Sequence, residues 1–471
     1  MPWLPELLPG EALPRLWVTG LAWDSRKVQP GDIFFALPGT KADGHAFIPE
    51  AVRRGAVAAV GERALGGLPV PYIRVPNARQ AMAHAACAFY GHPTEKIPTI
   101  GVTGTNGKTT VVHLLGQLLP DCDTLTTVRV EEEGLSCVTT PEAPDLQGLA
   151  AQALRAGKKF FAFEASSIGL AQHRVDGVRF AGAVFTNFSR DHLDFHGTPE
   201  NYLAAKLRLF GMLPPGAWAV VGVRAPVEAV RTAAPQARLL TYGVEKGDVQ
   251  ATRIRSVDGG MSFCITGSFG KARAFLPFPG IPNVENALAA VGVGLVLGFP
   301  LPELSERLAS VSLPPGRFAR FSSPKGAEII VDFAHNPGAL RSLLAAVRPG
   351  ARRLLVVFGC PGESDRGKRR IMGAIAGRFA DLVVITQDNP KSEDPKGIAA
   401  EIALGVAEVG GTWVVILDRA EAIRWALGRV GPGDRLVVAG KGHERSQHLA
   451  DRREPFSDLA LVQELGASSP K

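Results

Sequence analysis

The sequence predicts an α/β protein of three domains, with a central P-loop-type ATPase domain and a C-terminal doubly wound, Rossmann-like domain. Three observations predict it. At 471 residues the chain exceeds one core, since an ordinary domain takes roughly 150 residues. Short apolar runs of strand length alternate with helix-like segments along most of it, the pattern of a largely parallel sheet. A glycine turn carrying lysine and threonine, GTNGKT, closes one of those runs, as in phosphate-binding loops.

Residues 1 to 95 hold DIFFAL, GAVAAVGE and PYIRV, broken by turn signals and followed by the helical ARQAMAHAACAFYG. They read as a small α/β domain, and HPTEKIP (92–98) as a linker. From 96 to 315, TIGVTG, KKFFAFE and FAGAVFTN read as short buried strands between helices. Leu313-Pro314-Pro315-Gly316 is the strongest second boundary. From 316 to 471, AEIIVDF, RRLLVVFG, ADLVVIT, GTWVVIL and DRLVVAG alternate with helical stretches, a second doubly wound pattern.

Composition narrows the function. A hydrophobic share of 46% and a charged share of 21% are those of a soluble globular protein. The proline-rich start MPWLPELLPGEALPRL lacks the basic lead of a signal peptide. The longest apolar run, ALAAVGVGLVLGF, is shorter than the ~20 residues that span a bilayer. Five scattered cysteines without a C-x-x-C pair point to reduced thiols in a cytoplasm. The net charge of +7 is spread along the chain and only four tyrosines accompany it, which disfavours nucleic acid and suits phosphate-bearing small molecules.

The chemistry starts at IGVTGTNGKTTVVHLL (100–115). The usual loop spacing would place a glycine at 102, where Val102 stands, and Gly104 appears instead. TIGVTG is a strand, GTNGK a tight turn and TTVVHLLGQLL a helix, so backbone N–H groups and the helix dipole face an anion. Gly104, Thr105, Asn106, Gly107, Lys108, Thr109 and Thr110 form this cradle for ATP. Lys108 reaches the terminal phosphates and Thr109 ligates Mg²⁺. A second oxygen ligand is expected at the end of a neighbouring strand, and Glu164 of KKFFAFE fits. Thr198-Pro199-Glu200 starts a helix on which Tyr202, Lys206 and Leu209 share a face. On pattern alone Lys206 is a solvated helix lysine.

FTNFSRDHLDFHGTPENYLAAKLRLF (185–210), together with TGTNGKTT, resembles the Mur ligases, ATP-dependent enzymes that add amino acids to the peptidoglycan precursor. WDSRKVQPGDIFFALPGT, EASSIGLAQHRVDGVRF, GIPNVENALAA, VDFAHNPGAL, DNPKSEDP and AGKGHE have counterparts in order, so the resemblance runs the length of the chain. That family's loop is T-G-T-N-G-K-T/S, which accounts for Val102. The likeness is greatest to the branch that adds the third, diamino residue to UDP-N-acetylmuramoyl-L-Ala-D-Glu. It implies an N-terminal domain for the uridine nucleotide, a central ATPase domain and a C-terminal domain closing over the incoming amino acid. ATP phosphorylates the precursor's carboxylate, the amine attacks the acyl phosphate, and phosphate leaves.

The resemblance also implies roles. Lys108, His192 and Lys206 are catalytic. Thr109 and Glu164 hold one Mg²⁺, while His192 and a Lys206 carbamylated by CO₂ stand at a second. Asn283, Arg317 and Asp332 contact the nucleotide. Trp23, Ser25, Thr40, Lys41 and Ala42 face the uridine side of the precursor, and Thr139, Thr140, Ser166, Gln172 and Arg174 its muramoyl dipeptide. Asp388, Asn389, Pro390, Lys391, Gly440 and Glu444 face the free diamino acid. A cytoplasmic monomer acting on these two small molecules is expected, with no nucleic acid and no membrane.

Departures concentrate where the amino acid binds. D-N-P-R becomes Asp388-Asn389-Pro390-Lys391, losing a guanidinium fork. The arginine expected to hold the amino acid's α-carboxylate falls on Ser364, with Arg366 two positions on. H-T-P-D becomes His335-Asn336-Pro337-Gly338, S-S-H becomes Ser166-Ser167-Ile168, and the asparagine before T-T-P is Val138. A ligase for ornithine, lysine or diaminopimelate and a paralogue joining another carboxylate to another amine both stay open on the sequence.

Overall fold

A computed structural model describes residues 1–10, 13–39, 42–135 and 139–468. Thr40, Lys41 and Val138 lie outside the described residues. Among the described residues three large sheets, and one two-stranded ribbon of Ser446–His448 and Arg453–Pro455, organise the chain. The first has four parallel strands, Gly20–Ala22, Asp32–Phe35, Ala58–Gly61 and Tyr72–Arg74, neighbours in that order. Ile33, Phe35, Val60 and Ile73 on one side of it meet Met82 of the helix Ala78–Phe89.

The central sheet is larger and doubly wound. Cys122–Leu125, Phe160–Glu164, Thr99–Thr103, Phe180–Phe185, Trp218–Gly222 and Arg238–Val244 lie side by side and parallel. The helices Lys108–Leu118 and Ile281–Val296 contribute to the core on one face, and Ala143–Arg155 and Pro199–Gly211 to that on the other. Covered on both faces, Thr99–Thr103, Phe160–Glu164 and Phe180–Phe185 are largely apolar runs, which is why they were legible as strands.

Two features differ from the sequence reading. HPTEKIP is not a bare linker: a short helix, Pro93–Lys96, starts at His92, whose φ is 54°. The central sheet also continues through Val249–Val257, which pairs parallel with Arg238–Val244, into an antiparallel meander with Gly260–Gly267 and Gly270–Leu276. Only one face of this extension is buried, so its apolar residues alternate with polar ones instead of forming runs.

In the C-terminal sheet the order is Ala319–Ser322, Glu328–Asp332, Arg435–Ala439, Leu354–Phe358, Leu382–Ile385 and Trp413–Val415. The first pair is antiparallel and the rest are parallel. Arg419 and Asp458, both fully buried, form a two-pronged ion pair at 2.8 and 2.7 Å. Arg419 also donates to the carbonyl of Ala439 at 2.9 Å, where that strand runs into Gly440 and Lys441.

Replacing Asp458 by alanine leaves the Arg419 guanidinium buried without its anion. The expected cost is about 3–5 kcal/mol, read as a lower urea midpoint for the C-terminal domain. An unchanged midpoint would show that the pair holds nothing in place.

Candidate active site

Strand register brings the site together. Val102 pairs with Glu164 and Thr103 with Phe185, so Gly104, Glu164 and Thr186 emerge side by side at the carboxyl end of the sheet. Ligands bind at that end in open parallel sheets. Gly107, at φ 89°, precedes the helix Lys108–Leu118, and no side chain caps it. The N–H groups of Lys108, Thr109 and Thr110 therefore have no partner within the helix and face outward, as an anion requires.

The loop is held from behind by the segment Thr186–Ser189, a part of the motif to which the sequence reading assigned no role. Thr186 Oγ1 donates to the Asn106 carbonyl at 2.6 Å, and Asn187 Nδ2 donates to it at 3.1 Å. Asn187 Oδ1 accepts from the Asn106 N–H at 3.0 Å, and the Asn187 carbonyl accepts from the Thr105 N–H at 2.8 Å. Gly104, at φ 139°, lies so close to Thr186 Oγ1 that a Cβ would overlap it. Gly107 is closed off in the same way by Asn286 of the helix Ile281–Val296. Asn283, in the first turn of that helix, donates to the Pro279 carbonyl at 2.8 Å. A cleft beside the loop is lined by Asn106, Gly107, Asn187, Tyr242, Glu285 and Asn286.

Two lysines converge on one oxygen. Lys108 Nζ donates to the carbonyls of Gly104 and Thr105, both at 2.9 Å, and Lys206 Nζ donates to Gly104 at 2.8 Å. The sequence pattern made Lys206 a solvated lysine; the fold buries it to 1% exposure, with Nζ 4.4 Å from the centre of the Tyr202 ring. The reason is tertiary, because the face shared by Tyr202, Lys206 and Leu209 packs inward. Burial and the adjoining Lys108 ammonium push the Lys206 amine well below its ordinary value, and Asp191 opposes them only partly.

Glu164 is 1% exposed, and its Oε1 accepts from the Thr127 N–H at 2.6 Å and the Thr127 hydroxyl at 3.0 Å. The Thr109 hydroxyl accepts from Arg317 Nη2 at 3.0 Å. A threonine hydroxyl and one carboxylate are hard oxygen donors that suit Mg²⁺ when phosphate and water complete the shell. Among the described residues no three of His, Cys, Asp and Glu gather as a ready-made metal cage. Burial brings the His192 imidazole down to about 4, against the pull of Asp191, so near neutral pH its ring offers a free lone pair.

Thr139, Thr140, Ser166, Gln172 and Arg174 also come together. Thr140 Oγ1 donates to the Glu164 carbonyl at 2.8 Å and accepts from the Ser166 N–H at 2.9 Å. Arg174 donates to the Thr140 carbonyl at 2.8 Å and to Gln172 Oε1 at 2.7 Å. The Thr127 hydroxyl, which donates to Glu164, accepts from the Thr139 hydroxyl at 3.4 Å. In the first domain, Ser25 is buried and donates to Glu50 at 2.8 Å, Trp23 is half-buried and Ala42 is exposed.

The C-terminal domain reaches the same place. Arg317 lies over Phe333, 4.3 Å from the ring centre, and Asp332 accepts from the N–H groups of Phe318 and Ala334 at 2.7 and 2.8 Å. Arg190 and Asp365 pair across the domains at 2.9 and 3.1 Å. Lys441 Nζ donates to Asn389 at 2.9 Å and to Glu444 at 2.6 Å, while Asn389 Nδ2 donates to Glu444 at 3.0 Å. A Cβ on Gly440 would press on the Asp388 carboxylate, 2.6 Å away. Pro390 and Lys391 follow, with Lys391 at φ 52° and its N–H on the His448 carbonyl at 3.1 Å. Arg366 pairs with Glu401 at 2.7 Å, so it is already engaged, two positions after the half-buried Ser364.

His443 was missed by sequence reasoning. It is 5% exposed, and among the described residues neither ring nitrogen has a hydrogen-bond partner. Its ring lies 4.8 Å from that of Phe333, and the Glu131 carboxylate stands 3.9 Å off. Burial first, then Arg317, His335, Lys441 and Arg445, lower it to about 3.

Comparison with known proteins matches all three parts of the chain to Mur ligase models. Residues 18–90 match the Mur ligase family catalytic domain, 102–294 the Mur ligase middle domain and 316–442 the Mur ligase glutamate ligase domain. UDP-N-acetylmuramoyl-L-alanyl-D-glutamate–2,6-diaminopimelate ligase of Geobacillus thermodenitrificans is 41% identical over 473 residues, covering 96% of each chain. UDP-N-acetylmuramyl-tripeptide synthetase of Roseiflexus sp. is 42% identical, covering 94% of this chain and 93% of its own. Among solved structures, a UDP-N-acetylmuramoyl-L-alanyl-D-glutamate–2,6-diaminopimelate ligase superimposes with a TM-score of 0.65 at 31% identity, covering 98% of both chains.

Two outcomes are expected from this geometry. Gly104→Ala forces a Cβ onto Thr186 and strains a positive φ, so ATP binding measured by calorimetry should fall at least about tenfold. His443 is neutral when folded down to about pH 3, whereas unfolded histidine takes up its proton near 6.5. The folded state therefore loses stability as pH falls from about 6.5 toward 3. By pH 5 the loss should be about 2 kcal/mol, and thermal melts of His443→Gln should show a shallower decline over the same interval.

Proposed function

The chain belongs to the Mur ligase family and is an ATP-dependent ligase; on that premise we propose that it joins a free diamino acid to UDP-N-acetylmuramoyl-L-Ala-D-Glu. One observation carries the reading. A phosphate loop, two lysines on one carbonyl oxygen and the Thr139–Arg174 cluster share one edge of the central sheet, continuous with Glu164. Similarity across the whole chain, residues 18–90 included, favours the peptidoglycan precursor over the substrate of a paralogue.

In the proposed reaction a precursor carboxylate oxygen bonds to the γ-phosphorus of ATP, and the bond from that phosphorus to the bridging oxygen of ADP breaks. The helix start at Lys108–Thr110 binds the phosphates, and Lys108, turning from the Gly104 and Thr105 carbonyls, balances charge on the transferring group. Thr109 and Glu164 would hold Mg²⁺, which would neutralise part of the phosphate charge. Arg174 and Thr140 orient the precursor's peptide. The amine nitrogen then bonds to the acyl carbon, and the bond to phosphate breaks.

Lys206 is proposed as the site of carbamylation. Only an uncharged amine attacks CO₂, and burial beside Lys108 favours that form. A carbamate there would replace the amine with an anionic oxygen donor. Asn283 and Asp332 lie where the nucleotide's base and ribose are proposed to sit. Lys391, Asn389, Gly440 and Glu444 would line the diamino acid's place, with one lysine charge in place of a guanidinium fork.

The test is phosphate release with ATP, Mg²⁺ and the precursor, adding ornithine, lysine or diaminopimelate in turn, with mass spectrometry of the product. One amine should give turnover and a product heavier by that amino acid less water. Lys206→Ala should lose at least about a hundredfold in kcat. With ¹³C-bicarbonate the wild type should show a carbamate carbon that the variant lacks. Silence with all three amines, from protein that still binds ATP, would overturn the assignment.

A further inference from the structure

Asn336 is 1% exposed and makes contacts across the domain boundary that no family motif assigns. It caps the helix Pro337–Val347: its Oδ1 accepts from the Ala339 N–H at 2.9 Å. That bond fixes which way the amide faces, leaving Nδ2 to point at the central domain. There Nδ2 donates to Asn106 Oδ1 at 2.8 Å and to Asp191 Oδ2 at 3.1 Å. Asn106 belongs to the phosphate loop, and its own backbone is held on both sides by Thr186 and Asn187. Asp191 is buried, and its other oxygen accepts from the His192 N–H at 3.0 Å.

One side-chain amide thus ties the first turn of a C-terminal-domain helix both to the nucleotide loop and to the residue before His192. Arg317, at the start of the domain, also donates to the Thr109 hydroxyl at 3.0 Å, and two ion pairs across the boundary differ in kind. Arg190–Asp365 includes a half-exposed arginine, and Arg445–Glu132 is exposed at both ends, so each is weak in water. The Asn336 bonds are buried, where an unmade bond to a carboxylate costs the full desolvation of both groups.

We infer that Asn336 is a positioning residue that locks the C-terminal domain onto the seated nucleotide loop, so that the amine is held over the place where the acyl phosphate forms. The inference rests on the two-step ligase reading above. It predicts a defect in the second step greater than in the first. Threonine at 336 keeps an N-cap oxygen but has no amide to donate. Aspartate also caps the helix, but sets a carboxylate against Asp191.

The experiment measures both steps in one enzyme. With ATP, Mg²⁺ and precursor, hydroxylamine traps the acyl phosphate as a hydroxamate, releasing phosphate; with the preferred amino acid, peptide forms instead. In Asn336→Thr the ratio of peptide to hydroxamate should fall about tenfold, and in Asn336→Asp further, while thermal melts confirm that both variants are folded. Loss of the two products in equal proportion, or no loss of either, would overturn the inference while leaving the ligase reading intact. A wild type that makes neither hydroxamate nor peptide would remove that reading, and the inference with it.

Discussion

Two lysine side chains, Lys108 and Lys206, donate to the single carbonyl oxygen of Gly104 in a place from which water is largely excluded. Much of the architecture serves that convergence. Lys108 comes from the helix that leaves the loop, and Lys206 from the helix Pro199–Gly211 on the opposite face of the sheet. They meet because the strand ending at Thr103 lies between those two layers and Gly104 tops it. Arg317 adds a cation from another domain, bonded to Thr109. Glu164, Asp191 and, beside Arg317, Asp332 stand against these charges, and burial disfavours the Lys206 ammonium. Lys108 and Arg317 are the positive charges left to face a polyphosphate.

The loop would not keep its shape without support from behind. A glycine-rich turn has many conformations to lose, and here Thr186 and Asn187 hold Asn106 through both its N–H and its carbonyl. The supporting side chains lie at the end of the adjacent strand, Phe180–Phe185, so the register of the sheet sets the geometry of the cradle. Glu164 is held comparably, by Thr127 at the start of a short helix. The same helix presents Glu131 to the Arg445 N–H at 2.8 Å, so one small element touches a proposed metal ligand at one end and the C-terminal domain at the other.

Much of this was legible beforehand, for identifiable reasons. Strands buried on both faces declare themselves as apolar runs, and TIGVTG, KKFFAFE and FAGAVFTN became the adjacent strands at the heart of the site. The helix at Thr198 followed from its cap and proline, and Thr198 does accept from the Asn201 N–H at 3.2 Å. The antiparallel extension was not legible, since its half-buried strands carry too few apolar residues in succession. Thr186, Asn187 and Asn336 were not assigned because polar side chains that hold a backbone have no spacing rule. Asp191 and His443 draw their character from burial by distant segments, which no local pattern reports.

The sequence by itself determined the reaction class: a loop of Gly104 to Thr110, a strand-end carboxylate and a lysine-bearing helix are local patterns whose chemistry follows from residue type and spacing. It determined the family too, because ordered motifs span the chain. Only the tertiary structure decided the environment of those groups. Lys206 reads as solvated on its helix and is buried in the fold, since the choice of which helix face turns inward belongs to the partners it packs against. Arg366, two positions after Ser364, is exposed and pairs with Glu401 from the helix Pro395–Ala407. Charge state and partnership depend on distance and water, and both are set by segments far apart in the chain.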